Sequence, residues 1–61
     1  MPIVKIDSWP LKPDMKPVLI KKITDAFVAV GIPAMAVTII INESAKENWG
    51  TDGQQHSVKF K

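Results

Sequence analysis

The stretch VTIII, residues 37–41, decides the fold of this chain. It is an almost continuous run of β-branched residues, which predicts a strand covered on both faces. A short connection, residues 32–36, precedes this strand, and Asn42 and Glu43 end it. The strand therefore needs a neighbouring strand at its edge and other structure above and below its plane.

An amphipathic helix is predicted upstream of this strand. Asp14 is a suitable N-cap, Pro17 falls in the first turn where its missing N–H costs nothing, and Gly31 provides a stop. One apolar stripe recurs at helical spacing between these positions. Its members are Leu19, Ile23, Ala26, Phe27 and Val30.

The first strand is predicted over residues 3–8, with Val4 and Ile6 on its apolar face. The prolines that follow end it in a loop that carries Lys12. Strand, helix and strand with short connections form a βαβ unit, in which the strands are parallel and the crossover is right-handed. One helix covers only one face of this sheet, so the other face is expected to meet another subunit.

The remaining chain is more polar and contains the turn-forming pair Asp52-Gly53, which predicts a small hairpin. Trp49 stands at its start, and the simplest interpretation of so large a side chain is that it fills a subunit contact. His56 is interpreted as a surface or interface residue rather than a catalyst. Residues 57–61 are predicted to extend onto a neighbouring subunit or to fray.

The length of 61 residues predicts one domain, residues 1–61, in the α+β class. Such a short chain buries too little surface to be stable without disulfides, a structural metal or oligomerisation. The chain has no cysteine and one histidine, which excludes a disulfide framework and a zinc site. With a hydrophobic fraction of 46%, the composition favours a homo-oligomer.

The net charge of +2 comes from lysines spread along a chain without arginine, which argues against nucleic-acid binding. No apolar run approaches the length that a membrane span requires, and the N-terminus lacks a signal-peptide pattern. We therefore expect no nucleic-acid partner, no membrane association and a cytoplasmic location.

Pro2 becomes chemically unusual if Met1 is removed. An N-terminal proline is a secondary amine that can take up and release a proton, whereas a proline inside a chain is an amide. A modest downward shift in the pKa of such an amine would make it a general base near neutral pH. The alternative is that Met1-Pro2 is only the way this chain starts.

The combination of Met1-Pro2, a βαβ unit, Asn42-Glu43 after the second strand and KENWG at residues 46–50 resembles the short-chain 4-oxalocrotonate tautomerase family. The resemblance spans essentially the whole chain. It implies a homohexamer, a trimer of dimers in which sheets of neighbouring subunits pack together under an outer layer of helices. It also implies that Pro2 is the general base and acid, that Trp49 is an apolar wall beside it, and that no cofactor or metal takes part.

The chain departs from this family at two positions. Well-known members hold a dicarboxylate substrate with one arginine on the loop after the first strand and another on the second strand. These positions align here with Lys12 and Thr38. Lysine keeps the charge but not the planar fork of arginine, and threonine offers only a hydroxyl. The substrate expected from this comparison is a small acid with one carboxylate, and a solvated surface role for Lys12 stays open.

The leading hypothesis is a tautomerase that interconverts the enol and keto forms of a small 2-hydroxy or 2-oxo acid. A second is a related hydratase, dehalogenase or decarboxylase activity, although no additional acidic or arginine residue matches those enzymes. A third is a non-catalytic oligomer that retains Met1, which would leave Pro2 without a free amine.

Overall fold

The computed structural model describes residues 1–60 and contains the predicted βαβ unit. Strand β1 spans Ile3–Ser8, helix α1 spans Met15–Ala29 and strand β2 spans Thr38–Glu43. The two strands pair in parallel, in a register that places Ile3 opposite Thr38 and Ser8 opposite Glu43. The α+β fold class and the parallel strand order predicted from the sequence are therefore confirmed.

Helix α1 ends where the sequence predicts, and a Schellman motif ends it. The Ile32 amide donates to the Phe27 carbonyl at 3.1 Å, and the Gly31 amide donates to the Val28 carbonyl at 3.0 Å. Gly31 has a φ of +97°, a conformation that residues with a Cβ rarely adopt. At the other end, Asp14 occupies the N-cap position but its side chain makes no capping hydrogen bond.

A 3₁₀ turn, Ala34–Ala36, links α1 to β2, so β2 begins at Thr38 rather than at Val37. A second 3₁₀ turn, Lys46–Asn48, leads into a two-residue hairpin. Its strands are β3, Gly50–Thr51, and β4, Gln54–Gln55, which pair in antiparallel fashion. The turn residues Asp52 and Gly53 have φ values of +58° and +75°, as a type I′ turn requires. The hairpin predicted from the Asp-Gly pair is confirmed.

The C-terminal end differs from its prediction. Residues 57–61 were expected to extend or fray, but His56–Lys59 form a short helix, α2, that follows β4 directly. The Phe60 amide donates to the His56 carbonyl at 2.8 Å and closes this turn. Lys61 lies outside the described residues. The physical reason for the difference is a set of aromatic contacts to α2 that local sequence does not reveal.

Side chains alternate along both strands of the parallel sheet. Those on one face are half-buried, and Glu43 on this face forms an ion pair with Lys16, which places α1 over it. The opposite face is open, with Ile3 59% and Ile40 41% exposed. The expectation that α1 leaves one sheet face uncovered is therefore correct within this chain.

The described part of the chain has no fully buried side chain. Its Cα radius of gyration is 14.7 Å, whereas a compact domain of this length has about 10.5 Å. The molecule measures 42 × 24 × 14 Å, so its thinnest dimension holds only one helix on one sheet. A chain of this shape does not enclose a hydrophobic core by itself. Among residues 1–60, no helix is long and apolar enough to cross a membrane.

Candidate functional site

Pro2 and Thr38 lie together at the amino end of the parallel sheet. The Thr38 amide donates a hydrogen bond to the Pro2 carbonyl at 3.0 Å, which continues the strand ladder one step beyond β1. Pro2 is half-buried and Thr38 is exposed, while Met1 before them is 90% exposed. The ladder therefore fixes the position of Pro2 and leaves Met1 in solvent. With Met1 attached, the Pro2 nitrogen is an amide without a proton to exchange.

Lys12 and Trp49 lie at the opposite, carboxyl end of the sheet. The loop before Lys12 is tied to the last residue of β2, because the Leu11 amide donates to Glu43 Oε2 at 2.7 Å. Trp49 Nε1 donates to the Ser44 carbonyl at 2.9 Å, and Ser44 follows β2 directly. Since six strand residues span about 20 Å, the four predicted site residues form two separate pairs in one chain.

Two grooves on the surface of the single chain lie away from both pairs of predicted site residues. An open groove of ≈ 400 Å³ runs along α1 beside Val18 and Lys22. Another of ≈ 620 Å³ lies between Trp9 and Phe60. Neither groove is lined by Pro2, Lys12, Thr38 or Trp49. One chain therefore carries the parts of the predicted site without assembling them.

The side chain of Lys12 makes no ion pair or hydrogen bond with residues 1–60 and is exposed. Its backbone is tied to the first turn of α1, because its carbonyl accepts a hydrogen bond from the Met15 amide at 2.9 Å. An ammonium in this position can attract an anion to the carboxyl end of the sheet.

Glu43 is a further residue of this region, one for which local sequence predicts no functional role. Its carboxylate accepts a hydrogen bond from Lys16 and a second from the Leu11 amide, and these contacts lower its pKa below the ordinary value of 4.5. A carboxylate in this position is ionised at neutral pH and holds the Lys12 loop. The sequence signal was weak, because Leu11 and Glu43 are far apart in the chain.

A second missed feature is an aromatic cluster, which we define as Trp9, Trp49, His56 and Phe60. Its rings lie with centroids 5.0–5.9 Å apart around the imidazole. Lys46 Nζ lies 4.5 Å from the centre of the Trp9 ring and donates to the Phe60 carbonyl at 3.1 Å. The cluster holds α2 against the loop after β1. Its members come from three distant segments, so no local pattern predicted it.

The comparisons with known proteins agree with this fold. The tautomerase family, described as "Tautomerase enzyme", matches residues 2–59. Among solved structures, the chain is similar to TomN, a 4-oxalocrotonate tautomerase homologue in the tomaymycin biosynthetic pathway. The TM-score is 0.88 at 23% identity, and the match covers 95% of this chain and 92% of that chain. At this identity the likeness shows the fold alone. No curated protein sequence matches the chain significantly.

Proposed function

The chain belongs to the tautomerase family, and from this premise we propose that it is a cofactor-independent isomerase of small 2-hydroxy and 2-oxo acids. The proposed catalytic group is the secondary amine of Pro2, released when Met1 is removed. The observation that carries the proposal is the placement of Pro2 at the end of a strand ladder, held by the Thr38 amide, with Met1 in solvent.

The proposed reaction needs one proton carrier and no redox partner. The neutral Pro2 nitrogen removes the proton from the enol hydroxyl, and the oxygen electrons form the C=O bond. The electrons of the C=C bond then take the same proton from the prolinium at carbon. Atoms and charge balance, and the amine is regenerated. An apolar pocket lowers the pKa of an amine by disfavouring its charged form. The amine is then unprotonated at neutral pH and can accept a proton.

Lys12, Thr38 and Trp49 are proposed as substrate-binding residues. The Lys12 ammonium, which is unpaired within residues 1–60, can attract one carboxylate, and the exposed Thr38 can add a hydroxyl. The ring of Trp49 can supply an apolar wall, because its N–H is already bonded to the Ser44 carbonyl. This set suits a substrate with a single carboxylate better than a dicarboxylate, since the chain has no arginine.

We further propose that the site is completed by oligomerisation, in a homohexamer. The two pairs of site residues lie at opposite ends of the sheet, and the open sheet face exposes Ile3 and Ile40. If the sheets of two chains meet in antiparallel orientation, Pro2 of one chain approaches Lys12 of the other. This arrangement would place the Pro2 end of one sheet beside the Lys12 end of another, which a single chain cannot do.

The test is a comparison of the parent chain with Pro2→Ala. Mass spectrometry first shows whether Met1 is absent from each purified protein. Turnover is then followed by ultraviolet absorbance on a panel of enol acids with one or two carboxylates. We expect kcat/KM to fall by about 10²–10⁴ in Pro2→Ala, the range attributed to a positioned acid–base group.

A matched control is Lys22→Ala, which changes an exposed residue of α1 and should keep full activity. A parent chain that retains Met1 and turns over no enol acid would favour the non-catalytic oligomer. An active parent with an equally active Pro2→Ala would remove Pro2 from the mechanism. Turnover confined to hydration, dehalogenation or decarboxylation would favour those related activities.

A further inference from the structure

Within residues 1–60, the His56 side chain makes two polar contacts that join separate parts of the chain. Trp9 Nε1 lies 3.0 Å from His56 Nδ1, and because an indole N–H can only donate, Nδ1 must accept. The other nitrogen, Nε2, therefore carries the proton and donates to Thr51 Oγ1 at 2.6 Å. One imidazole thus links the loop after β1 to the hairpin.

The same ring contacts both tryptophans of the chain. It stacks on Trp49 with centroids 5.9 Å apart and planes inclined by 21°. It meets Trp9 edge to face at 5.5 Å and 85°. The His56 amide also donates to the Trp49 carbonyl at 2.9 Å. The hydrogen bonds from Trp9 and to Thr51 together fix the plane of the imidazole on which Trp49 stacks.

Without the hydrogen bond from Trp9, the imidazole would still be bonded to Thr51 Oγ1 but could turn about that bond, while Trp49 would keep its backbone contact and its bond to the Ser44 carbonyl. Misplacement of a group by about 1 Å can cost about 10²-fold in rate. The orientation of His56 is therefore relevant to any chemistry that uses the face of Trp49.

We propose that His56 is a positioning residue that, through its hydrogen bond from Trp9, sets the orientation of the Trp49 wall beside the substrate. This inference rests on the proposed function, because Trp49 contacts substrate only if the chain is the isomerase described above. His56 itself transfers no proton in this proposal and touches no reacting atom.

The experiment is a double-mutant cycle on kcat/KM with the enol acid that the parent uses best. Trp9→Phe removes the donor and keeps a ring, and His56→Phe removes the acceptor and keeps a ring. Each single change should lower kcat/KM by about 10- to 10²-fold. The double variant should lose no more than His56→Phe, because His56→Phe already removes the hydrogen bond that Trp9→Phe breaks, together with the bond to Thr51.

His56→Asn is the rescue variant, since its Oδ1 occupies the place of Nδ1 and can accept from Trp9. It should retain more activity than His56→Phe. In proton–nitrogen correlation spectra, the Trp9 indole signal should shift upfield and exchange faster with solvent in His56→Phe, and return towards the parent position in His56→Asn. This readout does not depend on turnover.

Gly53→Ala is the matched control for stability, because it strains the same hairpin and leaves the hydrogen bond intact. If it lowers kcat/KM as much as His56→Phe does, the role of His56 is only structural. Additive losses in the double variant would also overturn the proposal. If His56→Phe does not fold, Trp9→Phe alone decides, because it removes the bond from the other side.

Failure of this inference can be distinguished from failure of the proposed function. A parent chain with no enol turnover defeats the isomerase proposal, whatever the spectra show. An active parent whose Trp9→Phe and His56→Phe variants keep full kcat/KM defeats the positioning role alone.

Discussion

The Leu11 amide lies 2.7 Å from Glu43 Oε2 and donates a hydrogen bond to it, so the end of β2 holds the loop that carries Lys12. Lys16 pairs with the same carboxylate from the first turn of α1. One side chain therefore connects a strand, a loop and a helix at the carboxyl end of the sheet. The position of the proposed anion anchor, Lys12, therefore depends on Glu43.

Replacement of Glu43 tests this connection through its pH dependence. The hydrogen bond from Lys16, and after it the one from Leu11, lower the pKa of Glu43 below 4.5 in the folded chain. A lowered pKa contributes stability above about pH 4.5, and this contribution disappears as the pH falls through the lowered value. The parent should therefore be more stable than Glu43→Gln at pH 7, and the difference should shrink below pH 4.5.

The measurement is urea denaturation at a series of pH values and one fixed protein concentration. Asp25→Asn is the control, because Asp25 forms an exposed pair with Lys21 within α1 and should change stability little. A stability difference between parent and Glu43→Gln that stays constant from pH 7 to pH 3 would contradict the assigned role of the carboxylate.

Lys12 is predicted to bind the carboxylate of the substrate through its positive charge. Lys12→Ala should lower kcat/KM for an acidic substrate by roughly 10- to 150-fold, the value of a charge-assisted hydrogen bond of about 1.5–3 kcal/mol. Lys12→Arg should keep or raise kcat/KM, because a guanidinium grips a carboxylate with two bonds. The loss in Lys12→Ala should be smaller for an uncharged ketone.

Steady-state kinetics on the two substrates separates anchoring from damage to the loop. Equal losses on the acid and the ketone would indicate a disturbed loop. Unchanged kinetics on both substrates would make Lys12 a solvated lysine. Thr38 would then remain as the candidate for binding the carboxylate.

The hairpin turn offers a test of backbone strain. Gly53 has a φ of +75°, and a Cβ added there would meet no atom of the described residues, so the backbone conformation is what opposes Gly53→Ala. We expect a destabilisation of about 1–2 kcal/mol. Gly50→Ala in the same hairpin has no positive φ, and its Cβ would make an ordinary contact of 3.7 Å with the Gln54 carbonyl. It should change stability less.

Thermal unfolding followed by tryptophan fluorescence compares the two glycine variants, since both tryptophans contact α2 through His56. Equal melting temperatures for Gly53→Ala and Gly50→Ala would show that the positive φ at Gly53 carries no cost.

Oligomerisation is predicted to use the open face of the parallel sheet. Ile40→Asp places a charge on this face and should dissociate the assembly or prevent folding, because it would bury an unpaired carboxylate. Val18→Asp is a matched control on α1, where Val18 is 52% exposed against 41% for Ile40. Native mass spectrometry of the parent should show six copies of the 6.7 kDa chain. A folded parent monomer at micromolar concentration would contradict the proposal.

Periodicity and turn chemistry predicted most of the fold, because these signals are local. The β-branched run placed β2 to within a residue of its start, and the αL requirement at Gly31 placed the end of α1. Asp52-Gly53 predicted the hairpin because few other pairs adopt two consecutive positive φ values.

The contacts between distant segments could not be predicted in this way. Trp9 and His56 are 47 residues apart, and neither belongs to a periodic pattern that points at the other. Local sequence therefore indicates only a surface or interface position for His56, and it does not predict α2. The hydrogen bond from Leu11 to Glu43 is not predictable for the same reason, since a carboxylate at the end of a strand is compatible with many partners.

The parallel pairing of β1 and β2 has a consequence for mixtures of subunits. Each chain presents Pro2 at one end of its sheet and Lys12 at the other, about 20 Å of strand apart. If every centre draws these groups from two chains, Pro2→Ala and Lys12→Ala subunits, each impaired alone, would complement each other when refolded together. Hybrid assemblies would contain centres with both groups intact beside centres that lack both. Mixed assemblies of the two single variants would then be more active than assemblies of a chain that carries both substitutions.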